Sequence, residues 1–218
     1  MTTTFITGAN KSLGYETARR LIEAGHTVIV GARDPWRGRT AADALGARFV
    51  RIDVTANEGG IDVPINNAGV FGPHVPAAEI TAADANDVFG ANVVGIVRVT
   101  HAFLPLLRKS EHPVVVNVSS GMGSFTLTHD MTRAEGINIA PLYTASKAAV
   151  TMPTTQYAKS WPEIKVNAAD PGYTATDFNG HRGHQTVTEG TDAIVALATI
   201  GPDGPTGTFV DRDGTMPW

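Results

Sequence analysis

The sequence contains no cysteine, which excludes a disulfide framework, a thiolate metal site and a cysteine nucleophile. Positive charge is scarce: 17 Lys and Arg stand against 21 Asp and Glu, whereas nucleic-acid binding requires clustered basic residues. No apolar run approaches the roughly 18 residues that cross a membrane, and the N-terminus lacks a signal-peptide pattern. We therefore expect a cytoplasmic protein that has no nucleic-acid or membrane partner.

Short apolar runs alternate with longer helical patterns along the 218 residues, of which 42% are apolar. This length suits one α/β domain or two very small ones. The alternation predicts a single α/β domain over residues 1–218, a doubly wound (Rossmann) parallel sheet of about seven strands in the order 3-2-1-4-5-6-7, with helices on both faces. The predicted strands are 2–7, 27–30, 48–53, 61–66, 114–118, 164–168 and 208–210, and the predicted helices are 12–24, 35–45, 82–107, 142–160 and 187–199.

One connection is unusually short, because only seven residues separate Asp53 from Ile61. A crossover helix needs at least ~10–12 residues, and strands three and four lie three positions apart in this sheet order. Eight extended steps reach at most ~29 Å, which is barely enough to make the connection. Either the helix is deleted or residues of the physical chain are missing from this sequence. We favour the second explanation, and an intact mass of 22.9 kDa would contradict it.

A glycine-spaced turn at residues 7–14 follows the first predicted strand and opens the first predicted helix. Gly8 and Gly14 allow a tight turn and a close approach of the backbone, so that the helix N-terminus can face a pyrophosphate. Lys11 lies in this turn and is either a solvated loop cation or a charge beside the cofactor phosphates. Position between a strand and a helix favours the second interpretation.

The end of the second predicted strand carries Arg33 where an acidic residue would bind a ribose 2′-hydroxyl. An arginine fork suits a 2′-phosphate instead, and Lys11 would add to its charge. Asp34 leaves an alternative open, because it would pair with Arg33 or cap the next helix. The pattern favours NADP over NAD as the cofactor.

Tyr143 and Lys147 stand four residues apart in a predicted helix and therefore share one face. A nearby ammonium favours the phenolate and lowers a tyrosine pKa from ~10 toward working pH, which suits proton donation to a carbonyl that is being reduced. Ser120 follows the Val-rich strand at residues 114–118, at the edge where open α/β sheets bind ligands. A serine there would either bind the substrate oxygen or cap a turn.

The remaining motifs follow in a fixed order. The whole series is Thr7-Gly8-x-x-x-Ser12-x-Gly14, Asp53-Val54, Asn66-Asn67-Ala68-Gly69, Asn92, Asn117-Val118-Ser119-Ser120, Tyr143-x-x-x-Lys147 and Pro171-Gly172-Tyr173-Thr174-x-Thr176. Over essentially the whole chain this series resembles the short-chain dehydrogenase/reductase family. Lys11 together with Ala32-Arg33-Asp34 resembles the NADP-dependent carbonyl reductases in particular.

The resemblance implies an enzyme that transfers a hydride between NADP(H) and a small carbonyl compound or secondary alcohol. Tyr143 would be the general acid/base, Lys147 would lower its pKa and bind the nicotinamide ribose, and Ser120 would position the carbonyl. Asn92 would hold a water in the proton relay. The residues implied in cofactor binding are Gly8, Asn10, Lys11, Ser12, Leu13, Gly14, Arg33, Asp53, Val54, Asn67, Ala68, Gly69, Tyr143, Lys147, Pro171, Gly172, Thr174 and Thr176.

Several residues depart from the family pattern. Ser12 replaces a glycine and would narrow the phosphate turn. The 23-residue step from Ser120 to Tyr143 exceeds the family's usual dozen or so, and the resemblance implies that this insertion walls the substrate pocket. Pro64 would remove a hydrogen bond from a central strand, and Pro153 would kink a helix.

The altered glycine turn, the short connection after Asp53 and the two prolines support the main alternative, a catalytically impaired NADP-binding regulatory module of the same fold. An isomerase or epimerase with tightly bound NAD would require a larger substrate domain. The oligomeric state stays open between a monomer and a homo-oligomer, because the insertion would block the pairing through long helices that the family often uses.

Two further groups of residues, a pair of histidines and a set of four apolar residues, are candidate sites. His181 and His184 have no acidic or thiol partners beside them in the sequence, so we expect no metal site. Four apolar residues would form either a substrate wall or the packing of the insertion: Met122, Phe125, Tyr173 and Phe178.

Overall fold

The computed structural model describes residues 1–51 and 61–218. Their strands are β1 (Thr3–Thr7), β2 (Thr27–Ala32), β3 (Arg48–Arg51), β4 (Val63–Asn66), β5 (Val114–Val118), β6 (Lys165–Ala169), β7 (Phe209–Asp211) and β8 (Gly214–Thr215). Their helices are α1 (Ser12–Glu23), α2 (Pro35–Leu45), α3 (Ala82–Phe89), α4 (Gly95–Leu107), α5 (Phe125–Thr128), α6 (Ala134–Ile137), α7 (Pro141–Ser160), α8 (Val187–Gly190) and α9 (Asp192–Ala198).

The strands form one sheet in the order β3-β2-β1-β4-β5-β6-β7-β8. All neighbours pair in parallel except β8, which runs antiparallel to β7. The predicted order of the first seven strands is therefore confirmed. The eighth strand was not predicted, because its two residues contain a glycine and form no apolar run. The short connection, including Asp53 and Val54, lies outside the described residues.

Helices cover both faces of the sheet, as predicted. Successive residues of β1 point to opposite faces, so Ile6 packs with Leu21 of α1, whereas Phe5 packs with Phe103 of α4. The residues of β5 divide in the same way, and all five are buried. A strand buried on both faces is largely apolar, which explains the Val-rich run. Its one polar residue, Asn117, is hydrogen-bonded to Asn66 and Thr154.

The predicted helix 82–107 is a continuous helical stretch in which α3 and α4 are joined by a π-helical turn at Gly90–Val94. Length and composition alone would allow Ala82–Leu107 to cross a membrane. Its residues Val99, Phe103 and Leu107 pack in the core against the sheet. The π-helical turn carries Asn92, and single π turns inside helices often mark functional sites.

Both unusual prolines lie where the sequence predicted them. Pro64 lies in β4, between β1 and β5, and faces Phe5 of β1. Pro153 lies inside α7, which continues to Ser160. Each removes a backbone N–H from a regular element, and a proline inside a helix costs about 3 kcal/mol of stability.

Candidate active site

The candidate site lies at the carboxyl edge of the parallel strands, where open α/β sheets bind ligands. The chain leaves β1 into the turn at residues 7–14, leaves β4 at Asn67 and leaves β5 at Ser119 and Ser120. The first two turns of α7 bring Tyr143 and Lys147 to the same edge. The fold thus assembles four segments that are far apart in sequence.

Tyr143 is buried and enclosed by aromatic rings. Its ring stacks on Phe71 at a centroid distance of 5.0 Å and lies 5.6 Å from the ring of Phe178. The Lys147 ammonium lies 5.6 Å from the Tyr143 ring centroid. The Ser120 hydroxyl acts on the Tyr143 hydroxyl and partly lowers its pKa, whereas Ser119 is buried and donates to the Lys147 carbonyl. The second serine of the pair is therefore the one that faces the candidate acid.

The pKa of Tyr143 is raised, which is the opposite of the predicted direction. Burial is the main cause, the hydrogen bond from Ser120 offsets part of it, and the negative charge of Asp170 raises the pKa further. The predicted lowering by Lys147 is therefore wrong for this arrangement of side chains. Tyr143 remains protonated at neutral pH, so it is able to donate a proton.

Lys147 is also buried, and its Nζ donates to the carbonyl of Val118 at 2.8 Å. Burial lowers its pKa to about 8, although the charge of Asp170 acts in the opposite direction. Spacing in the sequence predicted that Lys147 and Tyr143 share a helix face, which is correct. How deeply the two side chains are buried is the main cause of both pKa shifts, and this burial depends on tertiary packing.

Asn92 fixes the segment that follows the Asn67-Ala68-Gly69 motif. Its amide accepts from the Val70 N–H at 2.8 Å and donates to the Val70 carbonyl and to Ser146 Oγ, each at 2.9 Å. Ser146 in turn donates to the Tyr143 carbonyl at 2.7 Å. The Asn92 side chain therefore joins the chain after β4 to the helix that carries Tyr143.

The turn after β1 adopts the conformation that a phosphate-binding turn requires. Gly8 has φ +67, and a Cβ on Gly14 would lie 2.5 Å from the Gly8 carbonyl oxygen. Ser12 has φ +49, so this serine takes the left-handed conformation of the glycine that it replaces. No side chain of the described residues caps the N-terminus of α1, and its first turn has no acidic residue. Its free N–H groups and its positive dipole end suit a pyrophosphate.

The segment after β4 is held against this turn. Thr7 Oγ1 accepts hydrogen bonds from the backbone N–H groups of Asn67 and Ala68, and the Asn67 amide donates to the Thr7 carbonyl. A Cβ on Gly69 would lie 3.3 Å from Asn92 Oδ1 and 3.7 Å from Lys147 Nζ. The predicted cofactor motif and the predicted catalytic lysine are therefore close neighbours.

The charged residues beside the turn resolve one alternative. Asp34 accepts hydrogen bonds from the N–H groups of Trp36 and Arg37 and caps α2. Its Oδ1 therefore serves the helix, its Oδ2 lies 3.7 Å from Arg37 Nε, and Arg33 is exposed. Lys11 is not a simple solvated cation, because its Nζ lies 2.7 Å from Asp177 Oδ2 in the loop after β6.

That loop contains the last predicted motif. Gly172 has φ +66, and Thr174 donates to the Pro171 carbonyl at 2.8 Å. Thr174 and Thr176 are both buried. His181 contacts Asp177 at 3.0 Å, and the His184 ring lies 6.0 Å from the Tyr173 ring.

A cavity of about 290 Å³ adjoins Tyr143. Among the described residues that line it, none is Asp, Glu, Lys or Arg; they include Phe71, Val75, Ile80, Ile139 and Leu142. Ile139 belongs to the segment between Ser120 and Tyr143, so the insertion does contribute to the wall. The site thus combines a buried tyrosine, a cavity whose described lining contains His74 but no Asp, Glu, Lys or Arg, and a turn suited to phosphate.

A sequence model of the family described as short chain dehydrogenase matches residues 2–186. The chain belongs to the short-chain dehydrogenase family.

Similar proteins span nearly the whole chain. A protein named short-chain dehydrogenase anuI from Penicillium roqueforti is 33% identical and covers 97% of this chain and 94% of its own length. Salutaridine reductase from Papaver bracteatum is 27% identical, with coverages of 94% and 93%. A solved short chain dehydrogenase from Shigella flexneri, complexed with NADP, has a TM-score of 0.83 at 24% identity and covers 97% of each chain.

Sequence reasoning missed two residues at the site of this short-chain dehydrogenase. Phe71 stacks on Tyr143, but it follows the Asn67-Ala68-Gly69 motif in an irregular segment with no apolar period. Asp170 affects both catalytic pKa values, although it precedes the Pro171-Gly172 motif as an ordinary polar residue. Of the four predicted wall residues, Phe178 contacts Tyr143, while Phe125 is 71% exposed.

Proposed function

We propose that this short-chain dehydrogenase transfers a hydride between NADP(H) and a small neutral carbonyl compound or the corresponding secondary alcohol. The observation that carries the proposal is the placement of Tyr143. Ser120 partly lowers its pKa, Tyr143 lines a cavity that has no Asp, Glu, Lys or Arg among the described residues, and Lys147 lies beside it. A proton donor therefore adjoins a substrate-sized space, and a second hydroxyl acts on that donor.

The residues present fit the dinucleotide that the family uses. Gly8, Gly14 and the uncapped start of α1 form a cradle for the diphosphate. Arg33 and Lys11 would hold the 2′-phosphate, with Lys11 leaving its ion pair with Asp177 to do so, while Asp34 caps α2. The NADP complex of the similar Shigella protein supports this choice of cofactor. When bound, NADPH supplies the hydride for reduction.

The protein residues handle the proton. In the direction of reduction, Ser120 and Tyr143 donate hydrogen bonds to the carbonyl oxygen of the substrate. The raised pKa of Tyr143 keeps its proton in place until the oxygen gains negative charge, and the proton then moves to that oxygen. The Lys147 ammonium lies 5.6 Å from the Tyr143 ring centroid, and we propose that it binds the nicotinamide ribose beside the phenolate that remains. The phenolate regains a proton through a relay that includes a water held at Asn92.

That water would bind the backbone of Asn92, because the side-chain amide already bonds Val70 and Ser146. The π-helical turn at Gly90–Val94 supports this role, since such a turn alters the regular helical pairing of backbone carbonyls. We propose a role in cofactor contact for Thr174 and Thr176 as well, although both side chains are buried within their own loop.

The substrate class follows from the cavity. Its volume of about 290 Å³ and its lining without Asp, Glu, Lys or Arg among the described residues favour neutral compounds over phosphorylated ones. The names of similar proteins, such as salutaridine reductase and (+)-neomenthol dehydrogenase from Capsicum annuum, agree with a small-molecule substrate. A cytoplasmic location stays a prediction.

The proposal is tested by titrating the protein with NADPH and with NADH, followed by turnover assays on cyclohexanone, acetophenone and 2-decanone. We expect tighter binding of NADPH and measurable oxidation of NADPH with at least one ketone. Binding of NADPH without turnover on any carbonyl panel would instead support the non-catalytic regulatory module. Absence of binding by either nucleotide would contradict both.

A further inference from the structure

Asp170 is a buried carboxylic acid that the proposed reaction does not use. It is the first residue after β6 and only 7% exposed. Its Oδ1 accepts the Gly172 N–H at 2.9 Å, and its Oδ2 packs against Gly121, whose N–H helps to lower the pKa of the carboxylate. Gly121 directly follows Ser120, so the Asp170 side chain ties the serine turn to the turn of the Pro171-Gly172 motif.

A second acid from the insertion lies beside it. A Cβ on Gly121 would lie 2.9 Å from Glu135 Oε1 and 3.1 Å from Asp170 Oδ2, so both carboxylates pack against the same glycine. Glu135 lies in α6, where its side chain is 20% exposed and its Oε2 lies 3.2 Å from Arg133 Nε. The close contact requires a glycine at position 121, since any side chain there would displace both acids.

The other ionisable groups that act on Asp170 come from two further elements. The negative charge of Asp170 raises the pKa of Tyr143 and of Lys147 in α7. The charge of Asp211 in β7 raises the pKa of Asp170. The insertion, the sheet and the catalytic helix therefore meet around one carboxylate.

We propose that Asp170 is a positioning residue for the reaction: its carboxylate holds the turn that carries Ser120, packed against Gly121 together with Glu135, and places a buried negative charge that acts on Lys147. This inference rests on the proposed function.

The ionisation of these groups defines a pH window. Burial raises the pKa of Asp170 to about 6, the N–H groups of Gly172 and Gly121 lower it in part, and Glu135 and Asp211 raise it further. The pKa of Lys147 is about 8, with the charge of Asp170 acting against burial. Between these values Asp170 is negative and Lys147 is positive. Below the window Asp170 gains a proton, and above it Lys147 loses one.

The experiment compares Asp170→Asn with Glu135→Gln in the full-length protein. Glu163→Gln serves as the matched control, because it removes one exposed negative charge before β6, at the opposite edge of the sheet. The first measurement is the pH dependence of kcat for NADPH oxidation, from pH 5 to 9.5, on the ketone of the panel that the wild type reduces fastest.

In the pH profile of kcat, the acidic limb is the fall in kcat below about pH 6 and the alkaline limb is the fall at high pH. We expect Asp170→Asn to remove the acidic limb and to move the alkaline limb down by roughly one pH unit. The activity at pH 7.5 then falls at least about threefold, since fewer Lys147 side chains are charged. Glu135→Gln removes a repelling charge, so its acidic limb moves to lower pH. Glu163→Gln leaves both limbs in place.

The second measurement is the Tm between pH 4.5 and 7.5, which requires no substrate or cofactor. The folded-state pKa of Asp170 is higher than its unfolded value, so the wild type loses stability as pH rises through about 6. Asp170→Asn does not titrate, so its Tm relative to the wild type rises over this range by roughly 5 °C. A Tm difference that stays constant over this range would show that Asp170 does not titrate near pH 6.

The outcomes separate this inference from the proposed function. If the wild type reduces no carbonyl compound, the proposed function fails, and the Tm comparison still decides whether Asp170 titrates near pH 6. If the wild type is active but both limbs persist in Asp170→Asn and its Tm difference is constant, the inference is overturned. If Asp170→Asn does not fold, an unmoved acidic limb in Glu135→Gln overturns it.

Discussion

The turn after β1 and the wall around Tyr143 face the same site, yet they are constructed differently. The turn is defined by its backbone: Gly8 and Ser12 have positive φ, and Gly14 leaves no space for a Cβ. The wall is defined by side chains from separate segments, such as Phe71 and Phe178. Backbone requirements leave glycines at fixed spacings, which are visible in a sequence, whereas contacts between distant side chains leave no local pattern.

The largest effect on NADPH affinity is expected from Gly14→Ala, which tests the part of the site that is defined by its backbone. The added Cβ would lie 2.5 Å from the Gly8 carbonyl oxygen and 2.9 Å from Ala9 Cα, so the turn must open. We expect a loss of NADPH affinity of about 100-fold, measured by fluorescence titration. Gly201→Ala is the control, because a Cβ there meets no atom within 4 Å. Unchanged affinity in a folded Gly14→Ala protein would show that the turn does not bind the cofactor.

Arg33→Ala tests the cofactor side of the site further, because it should change the affinity for NADPH and leave the affinity for NADH unchanged. Loss of a charged hydrogen bond to a 2′-phosphate costs about 1.5–3 kcal/mol, so NADPH affinity falls about 10- to 100-fold. NADH affinity stays the same, since NADH lacks that phosphate. The matched control is Arg39→Ala, which removes an exposed arginine that lies within α2. Equal losses for both nucleotides would refute the assignment of Arg33.

Phe71→Ala tests the part of the site that is defined by side chains. Its ring stacks on Tyr143 at 5.0 Å and lines the cavity, so its removal widens the substrate space and loosens the tyrosine. We expect the KM for the ketone to rise about tenfold while NADPH affinity stays within twofold. Phe125→Ala removes a 71% exposed ring from the insertion and should change neither value. A change in NADPH affinity alone would contradict this division of the site.

The smallest effect is expected from Ser12→Gly. Serine at φ +49 is strained by about 1 kcal/mol relative to glycine, so this substitution raises the free energy of unfolding by about that amount. Urea denaturation measures the difference. Ser12→Ala is the control, because alanine keeps the strain. A loss of stability in Ser12→Gly would indicate that the serine hydroxyl, rather than the conformation, matters here.

Much of the fold could be predicted from the sequence. Alternating apolar patterns placed the first seven strands in their order, and the helix at residues 35–45 matched α2 at both ends, where Asp34 caps it and Gly46 follows in the left-handed conformation. The strand β8 was missed because two residues carry too little hydrophobic signal. Asp53 and Val54, predicted to flank the adenine, lie outside the described residues and stay a prediction.

The site was predictable to a smaller extent. Spacing placed Tyr143 and Lys147 on one helix face, and the position of Ser120 after a buried strand brought it to them. The direction of the Tyr143 pKa shift was not predictable, because it depends on how deeply the hydroxyl is buried and on Asp170, which β6 brings in from a distant part of the chain. Electrostatic effects depend on three-dimensional distances that sequence spacing gives only within a helix.

The most direct test of the account is Tyr143→Phe, assayed for ketone reduction by NADPH and for NADPH binding on the same preparation. The substitution removes one hydroxyl and keeps the ring that stacks on Phe71. We predict that kcat falls about 10³-fold, the range expected for loss of a general acid, while NADPH affinity stays within about twofold. Turnover at the wild-type rate would contradict the account, because another group would then be the proton donor.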